Sequence, residues 1–147
     1  MKTEPLVLFD VRTPGLKRRE LEQFARELRD ETAGGRGFCC LITTDDELRR
    51  MNREFLGKDY ATDVLSFPSG DETGGLGDIA ISWQRTREQG EAEGHGAGTE
   101  ARVLLLHGVL HLLGYDHETD GGRMKRAEVK WRKRFGLAGG LIERAGR

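Results

Sequence analysis

The stretch Val103-Leu-Leu-Leu-His107-Gly-Val-Leu-His111-Leu-Leu-Gly114-Tyr-Asp-His117 holds three of the four histidines of the chain. Apolar residues fill nearly every position before Gly114, which predicts a buried helix. On such a helix His107 and His111 stand one turn apart on one face, with about 5–6 Å between them. Gly114 suits the left-handed residue that ends a helix, so the chain can turn there and return His117 to the same point.

Three histidines with this spacing predict a metal site. A single histidine on an apolar helix is more often a core residue whose ring nitrogens bond to neighbours. Three together would leave several buried polar atoms in need of partners, and one metal ion would satisfy all of them. Three imidazoles plus water describe an open, catalytic type of zinc site, although nickel or copper would also bind. We therefore expect one Zn²⁺ per chain, held by His107, His111 and His117.

Length and composition indicate one globular domain. The 147 residues are 36% hydrophobic and 33% charged, so we expect a single domain over 1–147 that ends in a basic, flexible tail from about residue 137. No apolar run approaches the roughly 18 residues of a membrane span, which predicts no membrane partner. Met1–Pro5 lacks the layout of a signal peptide. Cys39 and Cys40, adjacent in a predicted strand, point to opposite faces and form no disulfide framework, so we expect a cytoplasmic location.

The net charge of −1 is distributed unevenly along the chain. Between Gly121 and Arg147, nine basic residues are opposed only by Glu128 and Glu143. Such a run is either a solvated helix face or a contact for phosphate groups, and the sequence leaves both interpretations open.

The order of predicted elements indicates an α/β (α+β) fold with one small mixed sheet flanked by helices. Strands are predicted over 5–11, 38–43, 63–67 and 77–82, and helices over about 14–33, 45–56, 84–93, 99–113 and 122–135. Thr13 before Pro14 predicts a helix cap, and Thr44 with Glu47 predicts a capping box. The last two strands pair either directly or with another strand between them.

The predicted metal centre favours hydrolysis of a charged substrate. Three neutral imidazoles leave the full charge on the metal, which lowers the pKa of bound water to about 7 and attracts anions. Peptidases with two histidines in this helical spacing carry a glutamate after the first one as general base. Here Gly108 occupies that position and cannot move a proton. The absent glutamate disfavours a peptidase and favours cleavage of phosphodiesters.

Three stretches of the chain resemble the YbeY-type endoribonucleases, the bacterial ribosomal RNA maturation factors. They are the histidine segment, Ala61-Thr-Asp-Val-Leu-Ser-Phe-Pro68 and Leu76-Gly-Asp-Ile-Ala-Ile81. The resemblance extends from about Asp45 to Phe135 and implies a mixed sheet with flanking helices and zinc held by the three histidines. It also implies metal-dependent cleavage of single-stranded RNA, in maturation of the 3′ end of the small-subunit ribosomal RNA and in ribosome quality control. The implied partners are that RNA and the small ribosomal subunit or its proteins.

One position departs from the pattern of that family. Leu56 stands where the family usually has an arginine, a natural clamp for phosphate. Arg53, one helical turn earlier, or Lys58 is the candidate substitute. The missing arginine keeps open two alternatives: a non-catalytic ribosome-assembly factor whose metal holds the fold, and a metallohydrolase of another substrate. The general base also stays open.

Other residues give weaker signals. Asp116 is more typical of a turn residue than of a catalytic base or a group that orients a histidine. Tyr115, next to the predicted metal turn, is the aromatic candidate to face a substrate, whereas Trp83 and Trp131 are expected to pack. His95, in a glycine-rich segment, is expected to be an exposed bystander.

Overall fold

The computed structural model describes residues 4–60, 62–70, 74–116 and 119–137, so the predicted tail from about residue 137 lies almost wholly outside the described residues. Its elements in chain order are β1 (Val7–Phe9), α1 (Arg18–Glu27), β2 (Phe38–Thr43), α2 (Asp45–Leu56), β3 (Val64–Pro68), β4 (Gly77–Ser82), α3 (Trp83–Ala92), α4 (Gly96–Leu112) and α5 (Arg123–Phe135). A π-helical turn, Leu28–Thr32, extends α1. Over these ranges, no helix is long and apolar enough to cross a membrane.

The four strands form one mixed sheet in the order β1-β2-β4-β3. β2 pairs in parallel with both β1 and β4, and β3 runs antiparallel to β4 with Leu65 opposite Ala80. β3 and β4 therefore pair directly, which is one of the two arrangements that the sequence allows. The small mixed sheet with its flanking helices confirms the predicted α+β class.

Strand residues alternate between two layers, as a pleated sheet requires. One face, which includes Cys40 and Ile79, packs in a large core with residues of α1, α4 and α5. On the other face, Leu65 and Ala80 pack in a smaller cluster with Leu48 of α2. Within the described part of the chain the cysteines are free thiols, in agreement with the prediction.

Helix α4 is the centre of the large core, and 11 of its 17 residues are buried. The helix ends at the predicted glycine, because Gly114 adopts a φ of 97°. The Gly114 N–H donates to the carbonyl of His111 (3.0 Å), and the Tyr115 N–H donates to the carbonyl of Leu110 (3.1 Å). These two bonds form a Schellman motif, which satisfies the last carbonyls of the helix.

Helix α1 begins later than the predicted cap at Thr13. Gly15 adopts a φ of 82°, outside the helical region, and the Leu16 N–H closes a turn onto the carbonyl of Thr13 (3.0 Å). The Thr13 hydroxyl instead accepts from Nε of Arg18, the first residue of the helix (3.2 Å). The cap of α2 is confirmed, because Oγ1 of Thr44 accepts from the N–H of Glu47 (3.1 Å).

Candidate active site

A cavity of about 500 Å³ opens between α2, β3 and α4. His107 and His111 contribute its α4 wall. The remaining lining comes from α2, from the segment after it and from β3: Asn52, Leu56, Lys58, Tyr60, Thr62, Asp63, Val64, Leu65, Ser66 and Pro68. The stretch around the Thr-Asp-Val-Leu-Ser-Phe-Pro motif thus lies opposite the histidine helix, and both motifs share one cleft.

The rings of His107 and His111 converge at this cavity. Their Nε2 atoms lie 3.1 Å apart, and the ring planes are inclined at 75°. Two nitrogen ligands of one tetrahedral metal ion, each at 2.0–2.1 Å, would be about 3.3 Å apart. The separation therefore agrees with two ligands of a single ion.

The predicted third ligand, His117, lies outside the described residues, so its ligation stays a prediction. Among the residues that the structure describes, no three histidine, cysteine or acidic side chains come together as a metal site. The structure therefore brings together two of the three predicted ligands.

Glu128 of α5 holds the ring of His107. Its Oε2 lies 2.9 Å from Nδ1 of His107, and both residues are buried. Because a carboxylate accepts, Nδ1 of the neutral ring carries the proton and Nε2 keeps its lone pair for the cavity. Carboxylates bound to the far nitrogen of a histidine orient ligands in many metal sites. The donor set of the described residues therefore fits a metal ion.

In the sequence Glu128 is one of two acids in a basic run, and nothing there marks it as part of the site. The feature that could have identified Glu128 is its position on the buried side of α5, together with Met124 and Ala127. A carboxylate on the buried side of a helix needs a buried partner, and His107 is that partner.

Asp116, considered from the sequence as an orienting group, shapes a turn. Its carbonyl accepts from the N–H groups of Thr119 (3.2 Å) and Asp120 (3.1 Å). Its Oδ2 accepts from the hydroxyl of Thr119 (3.2 Å). The prediction of a turn residue is therefore confirmed, and the carboxylate that contacts His107 is that of Glu128.

Of the two candidates for the missing arginine, Lys58 lines the cavity. Gly57 ends α2 with a φ of 69°, and the backbone N–H of Lys58 donates to the carbonyl of Asn52 (3.1 Å). This turn places Lys58 in the cavity wall beside Leu56. The guanidinium of Arg53 lies 3.8 Å from Asp59 instead, outside the lining.

Gly108 allows α4 to approach the sheet closely. A Cβ at this position would lie 3.0 Å from Cγ2 of Ile79, so any larger residue would require the Ile79 side chain to shift. The carbonyl of Gly108 also accepts from the hydroxyl of Ser66 (3.1 Å), which ties α4 to β3. The glycine therefore has a packing role, and a glutamate in its place would disturb the contact between α4 and Ile79.

The prediction that His95 is an exposed bystander is wrong. Its side chain is only 15% exposed, and Nε2 lies 2.7 Å from Oε1 of the fully buried Glu100. When the amide of Gln89 is oriented so that its nitrogen faces Glu100 and Asp63, it donates to Oε2 of Glu100 (2.9 Å) and to Oδ2 of Asp63 (3.3 Å). His95 therefore helps to satisfy a buried carboxylate, within a polar chain that reaches the cavity at Asp63.

Comparison with known proteins identifies the family. The sequence profile of the Endoribonuclease YbeY family matches residues 15–136. The chain belongs to this family. Two relatives, both named Endoribonuclease YbeY, match most of the length of this chain. The relative from Solibacter usitatus is 58% identical over 129 residues (88% of this chain, 86% of the relative). That of Koribacter versatilis is 44% identical over 140 residues (95% and 91%).

The fold is also similar to a solved structure. The solution structure of TM1509 from Thermotoga maritima shares 26% sequence identity, covers 85% of both chains and has a TM-score of 0.57. Family membership confirms the resemblance seen in the three sequence stretches. It also confirms the predicted enzyme class, an endoribonuclease.

Proposed function

We propose that the chain is a zinc-dependent endoribonuclease that cleaves single-stranded ribosomal RNA. Its role would be maturation of the small-subunit RNA 3′ end and ribosome quality control in the cytoplasm. The observation that carries the proposal is the convergence of His107 and His111 on one cavity, with His107 held by Glu128. The relatives named Endoribonuclease YbeY support the choice of RNA as substrate.

His107, His111 and His117 would hold one zinc ion per chain. The chemistry supplied there is Lewis-acid polarisation of a phosphodiester oxygen and a lowered pKa of water at the site. Glu128 retains the Nδ1 proton of His107, which keeps this histidine in the tautomer that ligation requires. Three neutral histidine ligands would leave the positive charge of the ion available to attract the phosphate backbone.

The remaining cavity residues suit a single strand. Lys58 supplies a cation for a phosphate on the wall opposite the histidines. Tyr60, 53% exposed at the edge of the cavity, offers a ring on which an unstacked base can lie. Tyr115, the aromatic candidate from the sequence, instead packs against the core and faces the guanidinium of Arg123 at 5.6 Å. Unpaired RNA exposes the bases and phosphates that such a cleft can contact.

Cleavage of a single-stranded RNA that carries the small-subunit 3′ end tests the proposal. We expect a chelator to stop cleavage, added zinc to restore it, and His111→Ala to lack it while circular dichroism shows a folded protein. Cleavage that survives both the chelator and His111→Ala would contradict the proposal. A zinc-loaded protein that never cleaves RNA but unfolds when the metal is removed would indicate the assembly-factor alternative.

Lys58→Ala tests the cleft wall, with Arg53→Ala as its matched control. Both variants remove one cation near the end of α2, but only Lys58 lines the cavity. We expect Lys58→Ala to lower kcat/KM for RNA about tenfold or more, as the loss of a group that binds a reacting phosphate does. Arg53→Ala should remain near the parent value. Equal effects of the two substitutions would exclude the assigned role of Lys58.

A further inference from the structure

Every exposed residue of α5 is a lysine or an arginine: Arg123, Lys125, Arg126, Lys130, Lys133 and Arg134. The only acid of this helix, Glu128, is buried against His107. The exposed sides of α2 and α3, by contrast, carry both signs of charge. In a chain of net charge −1, α5 therefore concentrates positive charge on one surface.

Arg126, Lys130 and Lys133 follow one another at helical spacing, and we call them the α5 stripe. The stripe is about 10 Å long, since each helical residue advances 1.5 Å. Arg126 donates to the carbonyl of Gly121 (3.3 Å), and the ammonium of Lys130 lies 4.8 Å from the ring centre of Trp131. Within the described ranges, no carboxylate forms an ion pair with the three cations of the stripe.

We propose that the α5 stripe contacts the phosphate backbone of the RNA outside the cleft, an inference that rests on the proposed RNA cleavage. The same helix supplies Glu128 to the site, so the stripe has a fixed relation to the histidines. A substrate that is a polyanion longer than the cavity supplies phosphates beyond it. A row of cations attracts such a strand by its positive charge and holds it through contacts to the phosphates.

The composition of the surface favours RNA over a protein partner. The centre of a protein interface is depleted of charge and enriched in aromatic residues, whereas the apolar side chains of α5 are all buried or half-buried. Trp131, the aromatic residue beside the stripe, stacks on Phe135 with ring centres 5.9 Å apart. The stripe therefore offers charges for phosphates and no free platform for bases, which predicts contacts without sequence preference.

The position of the stripe determines which RNAs reach it. Its residues lie about half a turn around α5 from Glu128, on the side away from His107. A strand in the cavity touches the stripe only if it continues past the cavity and around the helix. A short oligonucleotide should therefore be cleaved without help from the stripe, and a longer one should bind more tightly because of it.

The test compares a triple variant, Arg126→Gln with Lys130→Gln and Lys133→Gln, with a matched control. The control, Arg12→Gln with Lys17→Gln and Arg19→Gln, removes the same charge from exposed residues before and at the start of α1. Glutamine keeps the helix propensity at those substituted positions that lie within α5 or α1. Fluorescence anisotropy measures affinity for a single strand of about 25 nucleotides across a salt series, and cleavage is followed on one of about five nucleotides.

For the triple variant we expect about tenfold weaker binding of the long RNA at low salt and a salt slope shallower by about 2, since each lost phosphate contact removes about 0.7. Cleavage of the short RNA should equal that of the parent and the control.

If the triple variant matches the control in affinity and slope while all three proteins cleave, the stripe is only a solvated surface and the proposed function stands. If the parent neither cleaves nor binds either RNA, both proposals fail. Normal RNA binding combined with lost association to purified small-subunit proteins would assign the stripe to a protein and overturn the inference.

Discussion

The chemistry of the site depends on a single pair of buried side chains, His107 and Glu128. A histidine ring can rotate and can carry its proton on either nitrogen, and only one of these states presents Nε2 to the cavity. The carboxylate of Glu128, 2.9 Å from Nδ1, selects that state. Glu128 comes from α5, a helix that contributes no lining residue to the cavity. The orientation of the His107 ring therefore depends on how α5 packs against α4.

Glu128→Gln is expected to weaken zinc binding while the fold persists. The glutamine oxygen still accepts from Nδ1 of His107, but without the negative charge that raises the basicity of a ligand. Removal of such a partner weakens metal affinity about 10- to 100-fold. Competition with a fluorescent zinc chelator measures the affinity, and the exposed Glu88→Gln is the control. An unchanged zinc affinity in Glu128→Gln would show that the pair does not orient a ligand.

At the scale of elements, local sequence signals predict most of the fold, and contacts between distant segments account for what they miss. The cap of α2, the strand Phe38–Thr43 and the glycine that ends α4 each depend on a few adjacent residues, and all three predictions are confirmed. Local signals place the start of α1 too early, directly after Thr13. The positive φ of Gly15 delays the helix, and the residues around Gly15 do not reveal that conformation.

The site shows the same division between local and distant information. The one-turn spacing of His107 and His111 is a local property, and it correctly predicts that their rings converge. The pairing of Glu128 with His107 joins residues 21 positions apart, and the partner of His95 is a glutamate that the strand and helix patterns do not distinguish. Such contacts depend on how the helices pack, which residue spacing alone does not determine.

Two glycines of the α3–α4 region should respond oppositely to alanine. A Cβ on Gly90 would lie 2.4 Å from the carbonyl oxygen of Gly96, and because the obstacle is backbone, the two helices must move apart. A Cβ on Gly98, in the first turn of α4, meets nothing within 4 Å. We expect Gly90→Ala to lower the free energy of unfolding by about 2 kcal/mol and Gly98→Ala to raise it by about 0.5 kcal/mol. Urea denaturation measures both; destabilisation by Gly98→Ala alone would contradict the described packing.

In the molecule as a whole, the two faces of the sheet are covered unequally. The large core lies on the side of α1, α4 and α5, whereas α2 covers only part of the opposite face. On that side an apolar cavity of about 440 Å³ remains, and Leu8 and Phe55 are 46% and 62% exposed. Strands with apolar residues on both faces predict a sheet that is packed against helices on both sides. The unequal packing of the two faces is therefore not visible in the sequence. The free energy of folding therefore resides mainly in the core around α4.

The adjacent cysteines of β2 report on the two faces separately. Cys40 lies fully buried in the large core, and burial, followed by the neighbouring Cys39, raises the pKa of its thiol. Cys39 lines the apolar cavity on the other face, and its pKa is raised by burial and, to a smaller extent, by the charge of Asp78. Since the thiolate is the reactive form, a raised pKa means slow alkylation of both residues at neutral pH.

Thiol labelling of Cys39→Ser and Cys40→Ala variants separates the two environments. In Cys40→Ala, Cys39 should react in the native state, about tenfold faster for each added pH unit below its pKa, because the thiolate fraction grows in that proportion. In Cys39→Ser, Cys40 should react only through unfolding of the core, so its rate should rise with urea in step with the unfolded population. Circular dichroism provides that population independently. A Cys40 rate that stays flat in urea well below the unfolding transition would mean that β2 opens locally, and would contradict a core held together as one unit around α4.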